Sequence, residues 1–368
     1  MDLNLSRNLV EPVIDVETIA SFIAGIQKED GQIPWSAGGK TDPWDHVESA
    51  MGLSVAGYRA EAERAYRWMA ETQLEDGSWW AAIKDNMAVD TTKDANFSSY
   101  IAVGVFHHYL ITEDVRFLKK MWPTVRKGID YALHLQGPGG EIYWARNGEG
   151  VADPMALLTG CSSIYMSLKC ALAIASLLAE EKVAWKIALV RLGEAIRNKP
   201  NLFNMMKARY SMDWYYPVLC GAVGGSEARK RIDKSWDKFV VPDWGVRCVS
   251  DRPWVTVAET AELVIALAAI GEEERAKAVF SWICDKRFAD GSYWMGVTFP
   301  DRVVWPEEKT AWTAAAVLLA HDALHHLSPA GRLFVHDSWD GHLFTPAPAC
   351  RVKQVLSRPL SANEAMRG

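Results

Sequence analysis

An all-α (α/α)6 toroid, two concentric rings of about twelve helices in six hairpins, is the fold the sequence predicts, and three observations predict it. Apolar residues recur at three-to-four spacing in twelve segments, with little period-two alternation between them. A short unit repeats along the chain. Gln27-Lys-Glu-Asp30-Gly31 leads to Trp35, Gln73-Leu-Glu-Asp76-Gly77 to Trp79 and Trp80, Gln136-Gly-Pro-Gly139-Gly140 to Trp144, and Arg287-Phe-Ala-Asp290-Gly291 to Trp294. In each unit a helical pattern ends, a glycine able to take positive φ turns the chain, and a tryptophan follows as a packing anchor. Third, alternate segments differ in composition: odd ones carry charge along one face, and even ones are apolar or small almost all round, as outer and inner rings must be.

The segments cover about 15–27, 46–57, 60–73, 94–111, 114–136, 161–179, 181–198, 212–223, 226–239, 255–270, 272–287 and 307–327. Asp15 and Asp94 stand where N-caps belong, and Gly271 separates the tenth segment from the eleventh. The segment at 212–223 opens unusually, with Tyr215, Tyr216 and Pro217 in its first turn. Strand signals are sparse, confined to pieces such as Val240-Val241 and Val303-Val304. One toroidal domain therefore spans 1–327, and residues 328–368, rich in Pro, Ala and Arg, form an appended, partly ordered tail.

Composition bounds the function. A net charge of −6 argues against a nucleic-acid partner. The N-terminus lacks a cationic segment feeding an apolar run, and no apolar stretch is expected to reach membrane-spanning length, so a cytoplasmic protein is expected. The six cysteines are scattered without paired spacing and read as reduced thiols. No spacing suits a metal and no Gly-rich loop follows a strand, so neither metal nor cofactor is expected. The 17 tryptophans exceed what a helical core needs and imply an aromatic-lined cavity.

If odd helices run outside and even helices return inside, every odd-to-even connection opens on one face. Those connections hold the polar residues. Asp45 and Glu48 follow Trp44 and flank His46; Asp94 precedes Tyr100; Asp213 adjoins Trp214 and Tyr215; Glu259 follows Arg252 and Trp254; Glu307 and Glu308 lie between Trp305 and Trp312. Asp45, Glu48, Asp94, Asp213, Glu259 and Glu307 are the candidate catalytic acids. Trp35, Trp44, His46, Trp80, Tyr100, Trp144, Trp214, Tyr215, Arg252, Trp254, Trp305, Glu308 and Trp312 are the candidate substrate contacts. Carboxylates ringed by aromatic faces suit acid chemistry on a sugar ring or on an apolar polyene. Asp45, Asp94 and Glu307 also sit where caps and first-turn acids belong. Glu259, inside an apolar helix, has no capping role and is read as functional or as paired with Arg247 or Arg252.

The Gln-x-x-Asp-Gly-x-Trp units resemble those of the prenyltransferase and squalene-cyclase superfamily, whose members are (α/α)6 toroids. The order of elements over residues 15–327 is also similar to glucoamylase-like six-hairpin glycosidases, through Ala95-Asn96, Trp122-Pro-Thr-Val-Arg126, Asp130-Tyr131, Glu141-Ile-Tyr-Trp144, Thr159-Gly-Cys-Ser and Trp305-Pro-Glu307-Glu308. The second resemblance implies a glycosidase whose general base is Glu307. The family's general acid follows a Trp, where this chain has Trp144-Ala145-Arg146, so another inner-ring acid must protonate the leaving oxygen. Asp94, Asp213, Glu141 and Glu259 are the choices, and Glu259 is best placed to hold a proton. The first resemblance implies instead an isoprenoid substrate, although no Asp-x-Asp-Asp run is present. Hydrolysis of a glycosidic bond is the expected activity, an isoprenoid cyclase or prenyltransferase the alternative, and a non-catalytic glycan- or lipid-binding toroid the third reading.

Overall fold

The computed structural model describes residues 14–340 and places twelve helical units in two concentric rings. The inner ring is α2 (Pro43–Val55), α4 with α5 (Ala95–Ser99 and Ile101–Thr112), α7 (Leu158–Leu177), α9 (Ser211–Leu219), α12 (Val257–Ala269) and α14 (Ala311–His325). These pack in a closed circle, each on the next, with α14 returning against α2. The outer ring is α1 (Val16–Ile26), α3 (Arg59–Thr72), α6 (Val115–Leu133), α8 (Val183–Asn198), α10 with α11 (Gly225–Lys234 and Trp236–Phe239) and α13 (Glu273–Ser281). Composition explains the sorting: α12 and α14 are buried along most of their length, whereas α3 and α10 bury one stripe and solvate the rest.

The repeated Gln-Gly unit fastens α1 to α3, α3 to α6 and α6 to α8. Gln73 Nε2 donates to the carbonyls of Gly77 (2.9 Å) and of Thr124 on α6 (3.0 Å). Gln27 joins Gly31 to Glu61 on α3, and Gln136 joins Gly140 to Ala188 on α8, in the same way. Each glycine lies flat on the neighbouring helix. Gly77, at φ +90°, would put a Cβ 2.3 Å from the Lys127 carbonyl oxygen. Gly291 closes the circle by packing on the Thr18 carbonyl of α1, in the unit where Arg287 stands in place of Gln. The tryptophan that folds back is Trp79, fully buried with its Nε1 on the Met69 carbonyl; Trp35 and Trp144 point to the mouth of the toroid instead.

The strands among the described residues all fall in outer-to-inner connections. β1 (Ala82–Lys84) pairs with β2 (Met87–Asp90); β3 (Lys93–Asp94), β4 (Tyr143–Arg146) and β5 (Ala152–Ala156) form a second antiparallel sheet. The third runs β6 (Val240–Val241), β7 (Gly245–Arg247), β8 (Trp254–Thr256) and β9 (Gly296–Thr298), and Val304 adds a single bridge to Val297. Inner-to-outer turns such as 113–114 are short, so one end of the toroid is plain and the other carries sheets and long loops.

One expectation needs adjustment. α7, with 20 residues and a mean hydropathy of 1.3, does reach membrane-spanning length and composition, but 67% of that span is buried within the toroid, as its place in the inner ring requires. Of the tail, a 3-10 turn (Pro329–Arg332) and α15 (Asp337–Asp340) lie against the plain end, where Leu333 is buried, His336 Nε2 contacts the Val218 carbonyl and Trp339 meets Phe106. Residues 341–368, with Cys350 and His342, lie outside the described residues.

Candidate active site

The first turns of the inner helices converge at the elaborated end. Asp42 caps α2, and its carboxylate takes the Trp35 Nε1–H and the Asp45 N–H. Trp44, at the start of α2, reaches across the axis to Phe97 and Tyr100 on one side and Tyr216 on the other, at centroid distances of 6.0, 5.7 and 5.7 Å. One turn further, Glu48 Oε1 accepts from Trp44 Nε1 (2.9 Å) and the Tyr100 hydroxyl (3.2 Å). Facing it from α12, Glu262 accepts from the hydroxyls of Tyr215 and Tyr216 (2.6 Å for Tyr216). A cavity of about 20 Å³ lies between these carboxyls, closed below by Phe334.

Burial dominates the electrostatics here. It pushes Glu48 up to about 7, against the stabilising Trp44 and Tyr100 hydrogen bonds. It raises Glu262 well above the carboxylate range, with the charges of Glu48 and Glu259 adding to the effect. Asp45 is also raised well above its usual value, by burial first and then by the charges of Asp42 and Glu48 and a carboxyl–carboxyl hydrogen bond with Asp42. Such a pair holds a proton between its members, because two adjacent carboxylates cannot both ionise cheaply.

The other acids divide by their partners. Asp94 caps α4, accepting from Asn96 N (2.7 Å) and Phe97 N (3.1 Å), and burial pushes it up to about 7. Asp213 accepts from the Thr159 amide and hydroxyl, and burial raises it. Glu259 is 8% exposed and receives the Cys248 thiol, while its Oε2 has no partner; Arg247 and Arg252, expected beside it, do not pair with it. Glu307 is exposed on the segment leading to α14, and Lys309, two residues further on, pairs with Asp290 at 2.6 Å. Glu308 accepts from Ser36 Oγ at the rim.

The aromatic residues divide likewise. Trp44, Asp94, Asn96, Trp144 and Thr159 line a pocket of about 90 Å³ beside the axis. Asn96 is 4% exposed, and neither atom of its carboxamide has a partner, so the pocket is built to receive a polar group. Trp35 and Trp312 meet at 6.3 Å, and the buried Nε1 of Trp312 is also unpartnered. Trp254 and Trp305 stand together on the rim at 5.5 Å, next to the exposed Arg252, and Trp80 lies under Lys93 at 5.1 Å. His46 and Trp214 are placed elsewhere. His46 is buried between the Ile33 amide and the Ala65 carbonyl, against Trp68, where it braces α2 on α3. Trp214 stacks on Phe239 at 5.2 Å with Nε1 on the Arg231 carbonyl, packing α9 against the outer ring.

Sequence reasoning passed over Asp42, Asn96, Tyr216 and Glu262. For Glu262 a signal existed: it follows Glu259 by three residues, which puts both on one face of an inner helix. For Asn96 none did, since nothing in Asp94-Ala-Asn96 distinguishes an unpartnered carboxamide from a capped one.

No family model matches the chain. It is 51% identical over 315 residues to the MMP endo-(1,4)-3-O-methyl-alpha-D-mannosidase of Mycolicibacterium hassiacum, covering 86% of this chain and 87% of that protein. Among solved structures it is similar to the GH63 mannosylglycerate hydrolase of Thermus thermophilus, seen with Tris and D-glycerate (TM-score 0.66, 10% identity, 83% of this chain and 99% of the other). It is also similar to a point variant of a glycosidase in complex with glucose (TM-score 0.64, 16% identity, 85% and 96%). A D-mannose isomerase shares the fold too (TM-score 0.65, 9% identity, 85% and 95%), so the toroid alone does not decide the reaction.

Proposed function

This chain belongs to the glycoside hydrolase family of the Mycolicibacterium hassiacum endo-mannosidase, and on that premise we propose that it cleaves internal α-(1,4) bonds of a 3-O-methyl-D-mannose polymer, with Asp45 as general acid and Glu259 as general base. Hydrolysis of a glycosidic bond follows from the kinship; the polymer and the residue roles are our reading.

The observation that carries the roles is the state of the carboxyls around the axis. Asp94 is held as a cap, Asp213 by Thr159, Glu48 by Trp44 and Tyr100, and Glu262 by two tyrosines. Asp45 and Glu259 differ. Asp45 is partly exposed, its carboxyl is hydrogen-bonded to that of Asp42, and burial together with the charges of Asp42 and Glu48 raises its proton affinity well above the carboxylate range. Glu259 carries a buried oxygen with no protein donor, free to accept a hydrogen bond from a water.

The step balances as an inverting hydrolysis. Glu259 removes a proton from a water whose oxygen attacks the anomeric carbon. The bond to the glycosidic oxygen breaks, and that oxygen takes the Asp45 proton. α2 and α12 both flank α14 in the ring, and inversion requires roughly 6.5–9.5 Å between the two carboxyls so that the water fits between them. Asn96 and Trp144 hold a sugar on one side of the cleaved bond. Five described cysteines without disulfides support a reducing, cytoplasmic setting.

The test is turnover of α-(1,4)-linked 3-O-methyl-mannose oligosaccharides, with the product anomer read by proton NMR. Asp45→Asn and Glu259→Gln should each lower kcat by at least about 10³-fold, toward the upper end of what acid–base catalysis supplies, while calorimetry still detects binding. Retained turnover in either variant, or a retained anomer, overturns the assignment; failure of the wild type to cleave the methylated chain overturns the substrate.

A further inference from the structure

We propose that Trp254, Trp305 and Arg252 form a distal glycan subsite, which stacks a sugar ring of the same polymer several units from the cleaved bond. The inference rests on the substrate reading above and extends it to a part of the rim that touches neither Asp45 nor the pocket of Asn96.

Trp305 is 57% exposed, unusual for a side chain whose backbone is so firmly held. Its N–H donates to the Gly296 carbonyl (2.9 Å), and its own carbonyl accepts the Trp254 Nε1–H (2.7 Å). The two rings meet at 73°. Gly296 permits this: a Cβ there would lie 2.5 Å from Trp254 Nε1. The corner is therefore built before any ligand arrives, which lowers the entropy cost of binding.

The open space in front of it is about 610 Å³, bordered by Val303 and Asp301 as well as by Arg252. The Arg252 guanidinium has no hydrogen-bond or ion-pair partner among the described residues and is positioned to donate to hydroxyls. An aromatic face with one charged donor at its edge suits a pyranose, whose C–H face is apolar and whose rim is polar. A methyl ether on that ring adds apolar contact with Val303, which is 52% exposed.

Topology names the occupant. β8, which carries Trp254, runs directly into α12, whose first turn bears Glu259. In the inner ring α12 and α14 lie opposite α5 and α7, whose entrances hold Asn96 and Trp144. A chain seated at Asn96 and passing between Asp45 and Glu259 emerges at the Trp254–Trp305 corner. Binding on both sides of the scissile bond is what an endo-acting enzyme requires.

The experiment uses the full chain with a short and a long α-(1,4)-linked 3-O-methyl-mannose oligosaccharide, a tetrasaccharide and a dodecasaccharide. Trp305→Ala should raise KM on the dodecasaccharide about 10-fold, worth about 1.4 kcal/mol, and Trp305→Phe should recover most of that loss. Arg252→Ala should act in the same direction. The penalty must grow with substrate length. Equal losses on both substrates, or none on the long one, overturn the subsite while leaving the proposed activity standing. If the wild type cleaves neither substrate, the activity itself falls and the subsite with it.

Discussion

Trp44 and Glu48 stand one turn apart on α2, and the indole Nε1–H of the first is bound to Oε1 of the second at 2.9 Å. The contact turns Trp44 across the axis and fixes Glu48 in the buried floor beneath the site. Tyr100 donates to the same oxygen, and Glu262 answers from α12 with its own pair of tyrosines. The floor is thus two carboxyls with aromatic donors, close enough that the charge of Glu48 adds to the burial that raises Glu262.

That arrangement predicts how stability changes with pH. Glu48 is shifted from 4.5 to about 7 and Asp94 from 3.8 to about 7, both by burial. A folded-state pKa above the unfolded value means the native state holds the proton more tightly. The associated stability is full below the unfolded pKa and is lost as pH rises through the folded one. Tm should therefore fall between pH 5 and pH 8, and Glu48→Gln, which cannot ionise, should flatten the fall. Scanning calorimetry over that range checks it; a Tm rising with pH, or a slope unchanged in Glu48→Gln, contradicts the account.

The Gln-Gly staple predicts a stability loss unconnected with chemistry. Gln73→Ala removes one hydrogen bond to the Gly77 turn and one to Thr124 of α6 and leaves both carbonyls short of a donor, a cost of about 1–3 kcal/mol. Gly77→Ala should cost more, because φ is +90° and the new Cβ meets the backbone of the next helix. Urea unfolding of both variants, with kcat measured below the transition, separates the two effects. A Gly77→Ala protein as stable as the wild type would refute the close packing.

The rings were legible in the sequence because they rest on local patterns. Twelve apolar periodicities gave the helical units, and Gln-x-x-Asp-Gly marked the outer helix ends, since each such unit must leave one helix and touch the next. The site was legible only as a face. Inner-helix first turns had to meet there, and Asp45, Glu48, Asp94, Asp213 and Glu259 all lie in or beside those turns. Which carboxyl is already satisfied depends on contacts such as Thr159 with Asp213 or Tyr216 with Glu262, 54 and 46 residues apart, and no local pattern reports them. His46 looked like a site residue for the same reason. Its neighbours Trp44 and Asp45 face the axis, but the helical turn points the imidazole outward to Ala65.

The same distinction separates Glu307 from Glu259 in a way that kinetics can read. Glu307 occupies the position that the glycosidase resemblance gives to the base, yet it stands exposed on the segment before α14. A general base must hold its water at the anomeric carbon, within about 2.6–3.2 Å of the proton it removes. The Glu259 oxygen, buried and unpartnered in the first turn of α12, meets the structural side of that demand. Glu307→Gln should accordingly lower kcat less than about 10-fold, and Glu259→Gln by at least about 10³-fold, when acid–base chemistry is what the second removes. The two variants should be compared on the same oligosaccharide, with binding measured alongside, so that a folding defect is not mistaken for lost catalysis. A reversed order, with Glu307→Gln inert and Glu259→Gln active, would return the base to the turn before α14 and make Glu259 part of the floor.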